Sequence, residues 1–234
     1  MSQQQQLSLH GFIPDAEVKI SLHTLHAICG MPPQRIFEHC IVWVPKNPFK
    51  PVMGAGQVNQ IEQYRITSSA DISKEETEPK VVGFHENPDV LQKRRWTLQI
   101  HEIPEAGKRK VTSQSILTST IVDGDEPFNF MDKLGYKYSY EYWQRGYRFI
   151  LGDIVLTLFR ICIQDTSSTD EIKPLKLLDP SGRWTMKAHI NVRQLTDMEG
   201  INNATSQLEK LQTDLTGVVD LVMPDRNCLN TRIK

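Results

Sequence analysis

The sequence predicts an α+β protein built mainly from an antiparallel β-barrel or strongly curved sheet with flanking helices, and three observations carry that prediction. Two segments alternate at period two: Tyr136, Tyr138, Tyr140 and Tyr142 against Lys137, Ser139 and Glu141, and Trp184, Met186, Ala188, Ile190 and Val192 against Lys187, His189, Asn191 and Arg193. The run 154–163 follows Tyr147 to Leu151 across Gly152-Asp153, which reads as a tight antiparallel hairpin. Strong helical spacing is found near the two ends, in Val18, Leu22, Leu25 and Cys29 and in Ile201, Ala204, Leu208, Leu211, Leu215, Val218 and Val222.

Taken in order, Leu7, Leu9, Phe12 and Ile13 make a first strand, broken at Gly11 and stopped before Pro14. The helix beginning near Val18 has Asp15 as a possible cap and Gly30, Pro32 and Pro33 as its stop. Residues 36–44 read as a strand, and 45–56, with three prolines and two glycines, as a loop. A strand over 60–67 rests on Ile61, Tyr64 and Ile66. The following stretch, rich in Ser, Glu, Lys and Pro, reads as a flexible insertion over 68–94 within a single domain spanning 1–234.

Trp96, Leu98, Ile100 and Ile103 restore a strand, and the β-branched run 111–122 gives another. Pro127 opens a short helix whose Phe128, Met131 and Leu134 share a face before Gly135. Gly146 interrupts the tyrosine strand. The polar face of the strand through Trp184 is expected to be wet or lumenal, and the last helix is expected to run to Pro224. Together the extended segments are expected to wrap a common apolar interior.

A chain of 234 residues with 39% hydrophobic and 24% charged residues can bury a core without staples, which disfavours a disordered, collagenous or coiled-coil protein. Its 27 Lys and Arg balance 28 Asp and Glu, so no global field draws it to nucleic acid or an anionic membrane. Cys29, Cys40, Cys162 and Cys228 are widely spaced, and no basic-flanked apolar leader or long apolar run occurs, so an intracellular, reducing location is expected. Asn203-Ala204-Thr205 reads as a chance sequon in a helix, and Lys108-Arg109-Lys110 as a solvated turn that could alternatively serve nuclear entry.

The cysteines form no close pair and the histidines no convergent group, although His23, His26 and His39 could approach one another in space. No phosphate-binding glycine fingerprint or nucleophile elbow is present, and Gly54-Ala55-Gly56 lacks the lysine such a loop needs. A barrel could place Glu141, Arg145, Arg148 and Lys187 in one lumen, but the dense carboxylate set of metal-assisted phosphoryl chemistry is missing. Glu75, Glu76 and Glu78 read as a solvated acidic loop. The aromatic series has two meanings: barrel core, or a contact surface for protein or for stacked bases beside Arg145 and Arg148.

The run Phe130-Met131-Asp132-Lys133-Leu134-Gly135-Tyr136-Lys137-Tyr138-Ser139-Tyr140-Glu141-Tyr142, followed by Gln144-Arg145-Gly146-Tyr147-Arg148-Phe149, resembles the subunit 18 family of the eukaryotic Mediator complex, in a fungal-like form. The resemblance continues through Gly152-Asp153-Ile154-Val155-Leu156-Thr157-Leu158-Phe159-Arg160-Ile161, is compatible with Leu9-His10-Gly11, and covers most of the order of elements. It implies a curved antiparallel barrel in the Mediator head, paired with the related barrel of Mediator subunit 20 and tethered through a C-terminal segment of Mediator subunit 8. The implied role is a noncatalytic nuclear coactivator scaffold among other head-module proteins and the RNA polymerase II machinery, with no cofactor, metal or catalytic residue. The family barrel also resembles RNA triphosphatases, whose paired Glu-x-Glu pattern these strands lack. Tyr140, Trp143, Tyr147 and Phe149 are the candidate interface or barrel-support residues. An RNA triphosphatase-like hydrolase and a single-stranded RNA-binding barrel remain as alternatives.

Overall fold

The computed structural model describes residues 2–49, 62–73, 81–121, 126–167 and 173–233. Among these residues nine strands lie in one antiparallel sheet: β1 (Ser2–Ile13), β2 (Gln34–Pro45), β3 (Ile66–Asp71), β4 (Thr97–His101), β5 (Thr112–Thr120), β6 (Tyr136–Leu151), β7 (Ile154–Gln164), β8 (Leu175–Leu177) and β9 (Trp184–Val192). The order β6-β2-β3-β4-β5-β1-β9-β7 is closed by the β6–β7 hairpin, giving an eight-stranded barrel, and β8 extends the free end of β7. Among the described residues four α-helices accompany it: α1 (Val18–Cys29), α2 (Pro88–Gln92), α3 (Pro127–Lys133) and α4 (Met198–Asp214).

Closure gives each strand an inner and an outer face, and the cross-strand register sorts the residues between them. Leu7 opposes Ile190 and Leu9 opposes Ala188, and these four pack with Leu25 of α1 and with Ala204, Leu208 and Leu211 of α4. An eight-stranded barrel has room only for side chains, so a 17-residue helix must lie outside it. The main apolar core is therefore the outer face of the wall beneath α1 and α4. The residues of the other parity, including Ser8, His10, Thr112, Gln114, Thr157, Lys187 and His189, face the lumen. This corrects the expectation of a common apolar interior, and it agrees with a lumenal polar face on β9.

The tyrosine series is likewise divided. β2 and β6 pair in register from Gln34↔Arg148 to Val42↔Tyr140, but the next pair is Trp43↔Tyr138, which leaves Ser139 as an extra residue. Such a bulge flips the side-chain phase. Tyr140 and Tyr142 share the lumenal face with Val42 and Cys40, whereas Tyr136 and Tyr138 join the outer cluster of Trp43, Ile66, Leu98 and Met131. Gly146 does not interrupt β6. A Cβ there would lie 2.0 Å from the Leu158 carbonyl oxygen, so its missing side chain lets β7 pass close by and the strand continue.

Other boundaries shift for identifiable reasons. Ile61 lies outside the described residues, and the strand expected over 60–67 is found at 66–71, where Ile66 and Ala70 are buried on the outer face. The stretch expected to be an insertion thus begins with β3; residues 74–80, with Glu75, Glu76 and Glu78, lie outside the described residues, as do Gly54-Ala55-Gly56 and residues 122–125. Residues 81–94 pack onto the outer face through Val82, Phe84 and Leu91. Asp15 does not cap α1; its Oδ1 accepts from Trp184 Nε1 at 2.8 Å and pairs with Arg160 at 3.1 Å.

α4 ends at Asp214, short of Pro224, and Gly217 adopts a left-handed φ of 87°. The chain beyond it turns extended, burying Val219 and Leu221 and exposing Val222, and bonds in both directions with the backbone of His10. Gly11 permits this crossing, because a Cβ there would meet Val219 Cγ2 at 2.6 Å. The tail then runs past Pro104 and Gln114 to Gln63, strapping successive strand ends.

Candidate functional site

The four aromatic candidates occupy three environments. Phe149 is fully buried in the core beneath α1, and Trp143 is fully buried on the outer face against His39 and Cys162. Tyr147 is half-buried, with its ring 6.0 Å from that of Trp184. Tyr140 lies on the lumenal face and is 48% exposed. Only Tyr147 opens onto a groove of about 650 Å³, lined also by Phe37, Arg145, Arg160, Leu177 and Trp184. The guanidinium of Arg160 lies 4.2 Å from the Trp184 ring centroid and that of Arg145 5.1 Å from Phe37. These stacked cations on an apolar floor suit a partner segment that offers apolar and acidic groups.

Behind this groove the outer face carries a closed polar lock. His39 of β2 is fully buried, its ring stacked on Trp143 at 4.6 Å, and its Nε2 lies 2.8 Å from Glu141 Oε2. Glu141 also accepts from the Phe84 backbone N–H at 3.0 Å, and Arg94 reaches His39 Nδ1 at 3.1 Å. One carboxylate from β6 and one imidazole from β2 thereby fasten the 81–94 stretch over the strands.

The four side chains expected to share a lumen do not all do so. Arg148 and Lys187 face inward, while Glu141 and Arg145 are of the opposite parity and lie outside. In their place, the lumen gathers His10, His101 and His189 around Lys187. Burial lowers Lys187 to about 8. Burial first, and then the Lys187 charge, lowers His10 to about 4 and His101 to about 4. His189 falls to about 3, with Arg148 and the other two histidines adding to burial and Lys187. The imidazoles are therefore neutral near neutral pH.

Sequence reasoning placed Lys187 and His189 on a polar face but missed His10. The signal was Gln4, Gln6, Ser8 and His10 alternating with Leu7 and Leu9, which the opening glutamines extend into the strand.

His26 of α1 engages the Met31 carbonyl while His39 engages Glu141, and among the described residues no group of three or more His, Cys, Asp or Glu is placed to hold a metal. The basic triplet sits in an exposed turn, where Arg109 pairs with Glu105 and Lys110 with Glu209, each at 2.6 Å. Among the described residues no helix is long and apolar enough to cross a membrane.

Three comparisons bear on this architecture. A Mediator subunit 18 of Yarrowia lipolytica is 42% identical over 236 residues, covering 98% of this chain and 100% of the relative. One from Candida albicans is 27% identical, covering 98% and 99%. In the solved Mediator head module of Schizosaccharomyces pombe, a chain at 18% identity superposes with a TM-score of 0.72 over 98% of this chain and 100% of that one, which shows the shared fold. The family model described as Med18 protein matches residues 5–232, nearly the whole barrel with its tail, and so the chain belongs to the Med18 protein family.

Proposed function

We propose that this chain is a noncatalytic scaffold of the Mediator head, working in the nucleus by holding neighbouring subunits in fixed geometry for RNA polymerase II transcription. The observation that carries the reading is the end-to-end match to Mediator subunit 18 relatives, which spans strands, helices and strap alike. A closed wall with helices bound to its outside suits such work, because it presents a rigid surface whose backbone hydrogen bonds are already made. The expected partners are Mediator subunit 20 and a C-terminal segment of Mediator subunit 8. Tyr147 with the Arg145 and Arg160 groove, and the exposed Tyr140, are the contact candidates; Trp143 and Phe149 act as supports from within.

Copurification of the full chain with those two partners, followed by mass measurement, tests the reading. A stoichiometric assembly weakened by Arg145→Glu is the expected result, and a chain that stays alone when both partners are supplied overturns it.

A further inference from the structure

The groove beside Tyr147 has a hydroxyl on one lip and positive charge that no acid answers. Ser73 lines it together with Arg35, Arg145 and Arg160. The Ile72 backbone N–H donates to the Phe37 carbonyl at 2.8 Å, which fixes Ser73 beside the first residues of β2. There Phe37 stands opposite Arg145 and Arg35 opposite Tyr147 in the register with β6. Arg160 is answered by Asp15 at 3.1 Å. Among the described residues neither Arg35 nor Arg145 has a carboxylate partner, and the acid of β2, Glu38, is taken by Arg148 at 2.9 Å.

Ser73 is exposed, and its backbone N–H turns back onto Asp71 Oδ1 at 2.9 Å, while its hydroxyl bonds to no described residue. In the sequence it is followed by Lys74, Glu75 and Glu76, so carboxylates stand two and three positions after the hydroxyl. Kinases with a basic substrate cleft read that charge pattern. Ser68 has an acid, Asp71, at the same three-residue spacing, but it is buried, and its Oγ accepts from Trp43 Nε1 at 2.7 Å. Spacing alone therefore does not choose the site; exposure beside two arginines without an acid does.

We propose that Ser73 is a phosphorylation site whose phosphate is held by Arg35 and Arg145, taking up the positive charge that an acidic partner segment would use. The donor is a nucleoside triphosphate. A bond forms from Ser73 Oγ to the γ-phosphorus as the bond from that phosphorus to the β–γ bridging oxygen breaks; the nucleoside diphosphate leaves, and the hydroxyl proton passes to the catalytic carboxylate of the kinase. A phosphoserine brings nearly two negative charges and three acceptor oxygens, which guanidinium groups bind through paired N–H bonds. The competition with a partner rests on the groove reading above, whereas the contact between phosphate and arginines does not.

The test treats the full chain with ATP and an acidophilic kinase of the casein kinase II type, maps the phosphate by mass spectrometry and follows it by phosphorus NMR as pH is varied. Phosphate is expected on Ser73, with a resonance that Ser73→Ala lacks. A free phosphoserine titrates near about 6, and in the folded chain the midpoint should fall by about half a pH unit or more, because neighbouring cations favour the dianion. Arg35→Gln combined with Arg145→Gln, shown to fold by its melting transition, should return the midpoint to that of the urea-unfolded chain. Kinase treatment should also weaken retention of the Mediator subunit 8 segment roughly tenfold in the parent and leave Ser73→Ala unchanged. No phosphate on Ser73, or a Ser73 phosphate that titrates alike in the parent and the double variant, overturns the proposal, as does equal retention of the segment by the modified and unmodified parent. A shifted midpoint in a chain that retains the segment in neither form upholds the phosphate site and sinks the partner reading instead.

Discussion

His39 and His189 are both enclosed by the same barrel wall, one on each side of it, and they are treated in opposite ways. On the outer face, His39 meets Glu141 and Arg94 and stacks on Trp143, so its polar atoms are answered by the chain itself. In the lumen, His189 Nδ1 has no partner among the described residues, and after burial the charges of Lys187 and Arg148 disfavour its protonation. The outer face is where the protein gains stability, through apolar packing and one completed polar lock. The lumen holds most of the buried side-chain polar atoms that the described residues leave without a partner, His10 Nδ1, Thr112 Oγ1 and His189 Nδ1.

The comparison is broken most forcefully at Phe149. Phe149→Ala should cost about 3–5 kcal/mol, the range for emptying a well-packed aromatic site, measured by urea unfolding. A loss below 1 kcal/mol would show that the outer core beneath α1 is not what holds the barrel. Glu141→Leu should cost roughly 3 kcal/mol, because it strips acceptors from His39 and the Phe84 amide at once, and proteolysis should then cut the 81–94 stretch faster. Unchanged stability and cleavage would remove the lock from the argument.

Acid sharpens the contrast. His10, His101 and His189 have folded values depressed to about 4, 4 and 3, below the ordinary value of 6.5. Below 6.5 the unfolded chain takes up protons that the folded chain refuses, so stability falls as pH drops from about 6.5 to 4, by roughly 1.4 kcal/mol per pH unit for each histidine. Replacing His189 with Gln should flatten the dependence by one such increment, and an identical slope would refute the assignment. Lys187, lowered to about 8, works in the alkaline range: its cost is complete below that value and is relieved as pH rises towards 10.5. The smallest effect on stability is expected at Tyr140. Tyr140→Ala should change unfolding by no more than about 0.5 kcal/mol, because the side chain is half in solvent, while copurification with the proposed partners weakens.

Much of the strand content was legible because a half-buried strand alternates regardless of what covers it. β9 and the β6–β7 hairpin announced themselves through Trp184 to Val192 and through Gly152-Asp153. The candidate site was less legible. Tyr140 and Tyr138 have the same spacing as any pair in a regular strand, and only the bulge at Ser139 sends them to opposite faces. Glu141 and Arg148 read as neighbours on one strand, yet they serve opposite sides of the wall. The tail shows the same limit: the spacing of Leu215, Val218 and Val222 continues a helix, but Gly217 and the free backbone of His10 draw the chain into extended pairing instead.

From its sequence alone this protein determined that it would have many extended segments, a tight hairpin in its second half and amphipathic helices towards both ends, since those follow from local periodicity and turn residues. Tertiary structure decided which parity of each strand became the inside. Alternation marks two faces without ranking them, and the ranking came from closure into eight strands, whose narrow interior left α1 and α4 only the outer, apolar face to cover. The lumen thereby received the polar parity, and Lys187 with its histidines came together from β1, β4 and β9.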